Sequence, residues 1–191
     1  MTENFSSFAK KYLDHLKDVL DGIDKAEVSE FVEILLEARH SGNSIFFVGN
    51  GGSAATSAHF ANDLAIGTRQ SDMPFRVISL VDNVATTTAI GNDYGYEEIF
   101  CRQIDVYGRP GDVLVAISAS GNSPNLLKAF ETAKGKNLRT VSITAFDGGK
   151  LRAAADHAVH VPTGKGEYGP AEDAHMVLDH LITNYLQTAL A

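Results

Sequence analysis

The sequence predicts an α/β fold: a three-layer sandwich on a mostly parallel five-stranded sheet, preceded by two helices. Three observations predict it. From residue 44 onward, short apolar runs alternate with helical stretches, the pattern of a parallel sheet covered on both faces. The runs are nearly continuous in apolar residues, as burial on both faces requires. The first forty residues instead repeat apolar side chains at helical spacing.

In chain order, Phe5, Phe8, Tyr12, Leu16, Val19, Leu20 and Ile23 mark a first helix, interrupted at Gly22-Ile23-Asp24. Val28, Phe31, Val32, Leu35 and Leu36 mark a second, stopped by Ser41-Gly42-Asn43. This extension, residues 1–42, carries no evident chemistry; its stripes suit covering the domain or meeting another subunit equally. Strands are expected at Ile45–Val48, Arg76–Leu80, Val113–Ile117, Thr140–Ile143 and His157–Val161, the last alternating like an edge strand. Helices are expected near Ala54–Leu64, Val84–Ile90, Glu97–Val106, Pro124–Lys134, Leu151–Ala155 and Glu172–Leu190. With no repeat, linker or low-complexity tract, residues 1–191 read as one domain.

Composition narrows the function. A net charge of −8 argues against a general nucleic-acid surface, though not against a local basic pocket. Cys101 is the single cysteine; it allows no intrachain disulfide and fits a reducing compartment. No segment reads as a signal peptide or a membrane span, so a cytoplasmic location is expected.

Two turns at strand ends carry the candidate chemistry. Ser118-Ala119-Ser120-Gly121-Asn122-Ser123 leads into Pro124 and a helix. Pro suits the first helical position and Ser the cap before it. Hydroxyls around a helix N-terminus suit an anion such as a phosphate ester. Gly49-Asn50-Gly51-Gly52-Ser53 is the second turn, and both should open on the carboxyl edge of the sheet. Gly91-Asn92-Asp93-Tyr94-Gly95 reads as a polar loop between helices. His59 and Asp63 stand four apart on one helix face, near enough to share a metal or a proton. On the last helix, Ala174, Val177, Leu178, Leu181, Ile182 and Tyr185 share a broad apolar side. Glu172, His175, Asp179 and His180 share the other. Glu172 with His180 and His175 with Asp179 are rival pairs, and spacing does not choose between them.

The stretches Gly49–Ser53, His59-Phe60-Ala61, Gly91–Tyr96, Gly111–Leu114, Ser118–Ser123 and Asp147-Gly148-Gly149-Lys150 together resemble the sugar isomerase (SIS) domain family. Within it they are most similar to the branch that isomerises phosphoheptoses, over nearly the whole chain. The resemblance implies a flavodoxin-like sandwich and conversion of sedoheptulose 7-phosphate to D-glycero-D-manno-heptose 7-phosphate for heptose biosynthesis, such as that of lipopolysaccharide. It implies that Asn50, Gly51, Gly52, Ser53, Asp63, Asn92, Asp93 and Glu172 meet substrate, with Ser118, Ala119, Ser120 and Ser123 at its phosphate. It implies one Zn2+, or another divalent cation, on His59, Asp63, Glu172 and His180, and a homotetramer. The family usually has Glu at Asp63 and Gln at Glu172. Asp63 is the expected base and His180 the expected acid of an enediol mechanism. The alternatives are isomerisation of another sugar phosphate, or a non-catalytic relative that senses sugar phosphates or binds a replication initiator.

Overall fold

The computed structural model describes residues 3–68 and 72–191. Helices α1 (Phe5–Asp21) and α2 (Lys25–Ser41) come first. Strands β1 (Ser44–Gly49), β2 (Arg76–Ser79), β3 (Val113–Ser118), β4 (Arg139–Thr144) and β5 (His157–His160) follow. Between and after them run α3 (Gly52–Asn62), α4 (Val84–Tyr94), α5 (Cys101–Tyr107), α6 (Pro124–Gly135), α7 (Gly149–Ala154) and α8 (Tyr168–Ala189). The sheet order is β2-β1-β3-β4-β5, and every pairing is parallel. The sheet is thus wholly parallel, and β5 lies at an edge as its alternation predicts.

Alternate strand residues feed two cores, because successive side chains point to opposite faces. Ile45, Phe47, Val113, Val115 and Ile117 enter one core with residues of α1, α2, α3 and α8. Phe46, Val48, Leu114 and Ala116 enter the other with residues of α5, α6 and α7. This two-sided demand makes the strands uniformly apolar.

From β1 the chain crosses one way to β2; from β3 it crosses the other way to β4. The crevice at such a reversal opens beyond the carboxyl ends of the two strands. The glycine turn follows β1 and the serine turn follows β3, so both predicted turns meet there.

Three local expectations change. The polar stretch at 91–95 is mostly helical, since α4 runs through Asn92 and Asp93 to Tyr94. Helix α3 passes directly into a π-helical turn, Asp63–Gly67. The buried stripe of α8 includes Ala174, His175, Leu178, Asp179, Ile182 and Thr183, while Val177, Leu181 and Tyr185 are exposed. Relative to the side expected from apolar periodicity, the core-facing side is rotated and takes in two titratable groups.

Candidate active site

The serine turn is organised by its own hydrogen bonds. The Ser118 hydroxyl accepts from the Gly121 N–H at 3.1 Å, and the Ser120 hydroxyl accepts from the Asn122 N–H at 3.4 Å. A hydroxyl that accepts in this way keeps its proton to donate to a ligand. Ser123 occupies the N-cap of α6 with Pro124 behind it, as predicted, but its side chain makes no cap hydrogen bond. The helix N-terminus and this hydroxyl therefore remain available to an anion. Gly121 has φ +61°, and a Cβ there would collide with the Gly148 carbonyl. That close approach gives the Asp147–Lys150 stretch its role: it buttresses the serine turn, and the Lys150 N–H donates to Asn122 Oδ1 at 3.2 Å.

The glycine turn lies opposite. Asn50 and Asn125 exchange amide hydrogen bonds of 3.0 and 2.8 Å, and the Tyr96 hydroxyl donates to Asn50 Oδ1 at 2.8 Å. Asn50 is thereby held in one orientation at the cleft. Gly52 begins α3, and the Glu172 carboxylate packs so closely over it that a Cβ would clash. Asn50, Ser53, Ser118, Ala119, Ser120, Ser123 and Glu172 line one cleft of about 170 Å³, joined by Tyr168. Gly51 caps α3 beside it. Asn92 and Asp93 are exposed on the last turn of α4 and do not line this cleft.

About two helical turns further along α3 and α8, or ~11 Å at 1.5 Å per residue, charged side chains gather. His59 Nε2 lies 3.4 Å from Asp63 Oδ2 and 3.9 Å from Asp179 Oδ2. His180 Nε2 lies 3.2 Å from His59 Nε2. One potential ligand atom from each of these four residues falls within 4.8 Å of all the others. Two imidazoles and two carboxylates suit a borderline dication such as Zn2+. The π-helical turn sets Asp63 at the junction: its carbonyl accepts from the Thr68 N–H, five residues on, at 3.0 Å. Gln187 on α8 donates to the Gly67 carbonyl at 2.7 Å, tying this turn to α8. Single π turns inside helices are frequent at functional sites.

Membership of this group differs from the expected ligand set. Glu172 is outside it and Asp179 is inside. The reason is helical pitch: Glu172 precedes His180 by eight residues on α8, which carries it to the glycine turn. The rival pair also splits. His175 is buried, and burial pushes its imidazole down to about 4. Asp179 is buried too; burial, reinforced by the Asp63 charge, pushes its carboxyl up to about 7.

Sequence reasoning missed Asn125, Tyr96 and Tyr168 as site residues. Asn125 had a usable signal, standing just after Pro124 at a helix N-terminus. The tyrosines had less: Tyr96 closes the Gly91–Tyr96 stretch without marking a role, and only packing brings it to Asn50 and Tyr168 to the cleft.

Comparisons with known proteins agree with the fold. The SIS domain family matches residues 10–145, ending before α8. The phosphoheptose isomerase of Helicobacter pylori strain 26695 is 36% identical over 185 residues, 95% of this chain and 95% of that one. The phosphoheptose isomerase of Rhodospirillum rubrum is 37% identical over 163 residues, 85% of this chain and 86% of that one. The structure of phosphoheptose isomerase from Neisseria gonorrhoeae is similar at a TM-score of 0.84 and 30% identity, covering 96% of this chain and 98% of that one. A phosphoheptose isomerase structure from Francisella tularensis, at a TM-score of 0.87 and 22% identity over 97% of this chain and 100% of that one, shares the fold.

Proposed function

The chain belongs to the SIS domain family, and from that premise we propose that it isomerises sedoheptulose 7-phosphate to D-glycero-D-manno-heptose 7-phosphate. The observation that carries this reading is a phosphate-type turn that shares a cleft with Ser53 and Glu172 at one end of the α3/α8 pair, with a His/carboxylate group about two helical turns further along that pair. A heptulose 7-phosphate bears its phosphate and its carbonyl at opposite ends of the chain. With the phosphate on Ser118, Ser120, Ser123 and the α6 N-terminus, the carbonyl end is directed away from the serine turn.

In this reading the Asp63 carboxylate takes the proton from the carbon beside the carbonyl. The His180 imidazole supplies one to the carbonyl oxygen, giving the enediol; Asp63 then returns its proton to the former carbonyl carbon while His180 recovers one from the terminal hydroxyl, which leaves the aldose. Asn50, locked by Asn125 and Tyr96, orients the sugar, with Ser53, Gly51 and Gly52 along its flank. Asn92 and Asp93 would reach it from the end of α4. His59, Asp63 and His180 would hold a divalent cation, Zn2+ by the donor types, one per subunit. When bound, such an ion supplies polarisation of a carbonyl oxygen.

We further infer a homotetramer. Phe5, Phe8 and Leu13 on α1 are exposed, as are Val177, Leu181 and Tyr185 on α8. An apolar groove of about 330 Å³ lies among α1, α2 and α8, and α4 has no buried residue at all. Light scattering should report four chains at micromolar concentration; a monomer would sink the inference. One domain over residues 1–191 fits α1 and α2 sharing the core with the sheet. Among the described residues no helix is long and apolar enough to cross a membrane, and the buried free thiol of Cys101 fits a cytoplasmic setting.

The decisive experiment follows the sugar. Purified protein incubated with sedoheptulose 7-phosphate should yield the aldoheptose 7-phosphate, identified by NMR of the products. Inertness toward this ketose, with turnover of another sugar phosphate, would replace the substrate and keep the reaction class.

A further inference from the structure

We propose that Asp179 is the fourth ligand of the divalent cation, completing a His59, Asp63, Asp179 and His180 set, and that Glu172 is not a ligand. The inference rests on the cation site of the isomerase reading above and changes its composition.

Burial provides the first argument. The Asp179 side chain is 0% exposed, and its Oδ2 atom has no hydrogen-bond partner. Its other oxygen accepts only from the Thr183 hydroxyl, at 3.3 Å. Carboxylates buried this deeply are paired or coordinate metals, because the desolvation cost otherwise goes unmet. The unpartnered oxygen is the atom that faces His59.

Geometry agrees. Ligands held at 2.0–2.1 Å around a tetrahedral ion stand about 3.3–3.4 Å apart. The separations from His59 Nε2 to Asp63, His180 and Asp179 are 3.4, 3.2 and 3.9 Å. Small side-chain adjustments would seat an ion among all four. Charge agrees as well. Two neutral imidazoles and two carboxylates neutralise a dication, so the buried charge of Asp179 would be compensated where it lies. A third carboxylate would leave the site anionic. Glu172 is instead engaged over Gly52 and lines the cleft with the serine turn.

The test measures cation binding, not turnover. Protein stripped by a chelator is titrated with Zn2+ against a chromogenic competitor. Wild type should take up one equivalent. Loss of an outer partner of a metal ligand typically costs 10–100-fold in affinity, so Asp179→Asn, which removes a ligand charge while keeping its volume, should cost more than ~100-fold. Glu172→Gln and Glu172→Ala should stay within about threefold of wild type, since the Glu172 carboxylate packs over Gly52 at the far end of the helix pair and is not a member of the ligand group. Circular dichroism and the Zn2+-dependent rise in melting temperature serve as fold controls. Should Asp179→Asn fail to fold, the two Glu172 variants still decide, because the proposal requires both to bind normally. A tenfold loss in Glu172→Gln, an Asp179→Asn variant that binds like wild type, or a wild type that binds no cation would each overturn it. The sugar assay is separate. A protein that binds Zn2+ through Asp179 but leaves sedoheptulose 7-phosphate untouched would refute the substrate and spare this site.

Discussion

The two ends of the α3/α8 pair solve opposite problems. At the glycine and serine turns the donors are neutral: hydroxyls, backbone N–H groups and one clamped amide, with Glu172 the one carboxylate lining the cleft. Two of the three serine hydroxyls and the Asn50 amide are already hydrogen-bonded within the chain. Two turns away the groups are titratable, crowded within 4.8 Å, and one carboxylate oxygen is buried without a partner. The first end is largely satisfied within the chain and keeps the Ser123 hydroxyl and the α6 N-terminus open to an anion; the second gains from a proton or a cation. The contrast separates binding from chemistry. Neutral donors hold an anion without a change of protonation state, whereas proton transfer needs groups poised between two states.

The contrast breaks most visibly at Asp63. Asp63→Asn keeps the size of the side chain and removes its basicity, so kcat should fall by ~10²–10⁴. Sugar-phosphate affinity, set at the other end, should hardly move. Full turnover in this variant with the cation still bound would remove Asp63 as the base and shift attention to Glu172, the carboxylate in the cleft. Asp63→Glu sharpens the point. If the site accepts the family's usual Glu, activity is kept or raised; if the π-helical turn has set the carboxylate for Asp, a misplacement of ~1 Å costs about 10²-fold.

Stability against pH should expose the charged end next. Without metal, the folded pKa of Asp179, about 7, lies above its unfolded value near 3.8. Folding therefore takes up a proton, and this group's contribution to stability falls as pH rises from about 4 to about 7. His175 runs the other way. Its folded pKa of about 4 lies below 6.5, so stability is lost as pH drops from 6.5 toward 4. At 1.36 kcal/mol per unit, each effect is on the order of a few kcal/mol, and in wild type they oppose each other between about pH 4 and 6.5. Asp179→Asn removes only the first. In chelator, denaturant titrations should find it more stable than wild type at pH 8 and more steeply weakened on acidification. Parallel pH curves for the two proteins would refute this balance.

The neutral end should yield the smallest changes. Ser120→Ala or Ser123→Ala should weaken sugar-phosphate binding by about 0.5–1.5 kcal/mol, or more where the bond is charge-assisted, with melting temperature unchanged. Calorimetry showing intact affinity in both variants would reduce the turn to a helix cap.

Much of this comparison is legible in the sequence, unevenly. The strands are legible because burial on both faces makes them continuous apolar runs. The serine turn is legible because Ser123-Pro124 announces a helix start. The end of α4 is not. Gly91 reads as a stop but stays helical, and the helix ends at Gly95, where φ is +99°. The π-helical turn at Asp63 leaves no compositional mark, because its hydrogen bond differs from its neighbours' only in reach.

By itself the sequence determined the wholly local and the strictly periodic features. These are the order of strands and helices, the two turns, the His59/Asp63 pair on one helix face, and the presence of four polar candidates on α8. Only the tertiary structure decided among those four. Spacing along α8 gives the azimuth of Glu172, His175, Asp179 and His180, but not which azimuth faces α3, which faces the core and which faces solvent. Packing of α8 against α3 and the sheet set that rotation. It sent Glu172 to the cleft, His175 into the core and His180 to the rim, and it buried Asp179 with one oxygen turned toward His59. Burial is a property of neighbours supplied by distant parts of the chain, and no period within one helix records it.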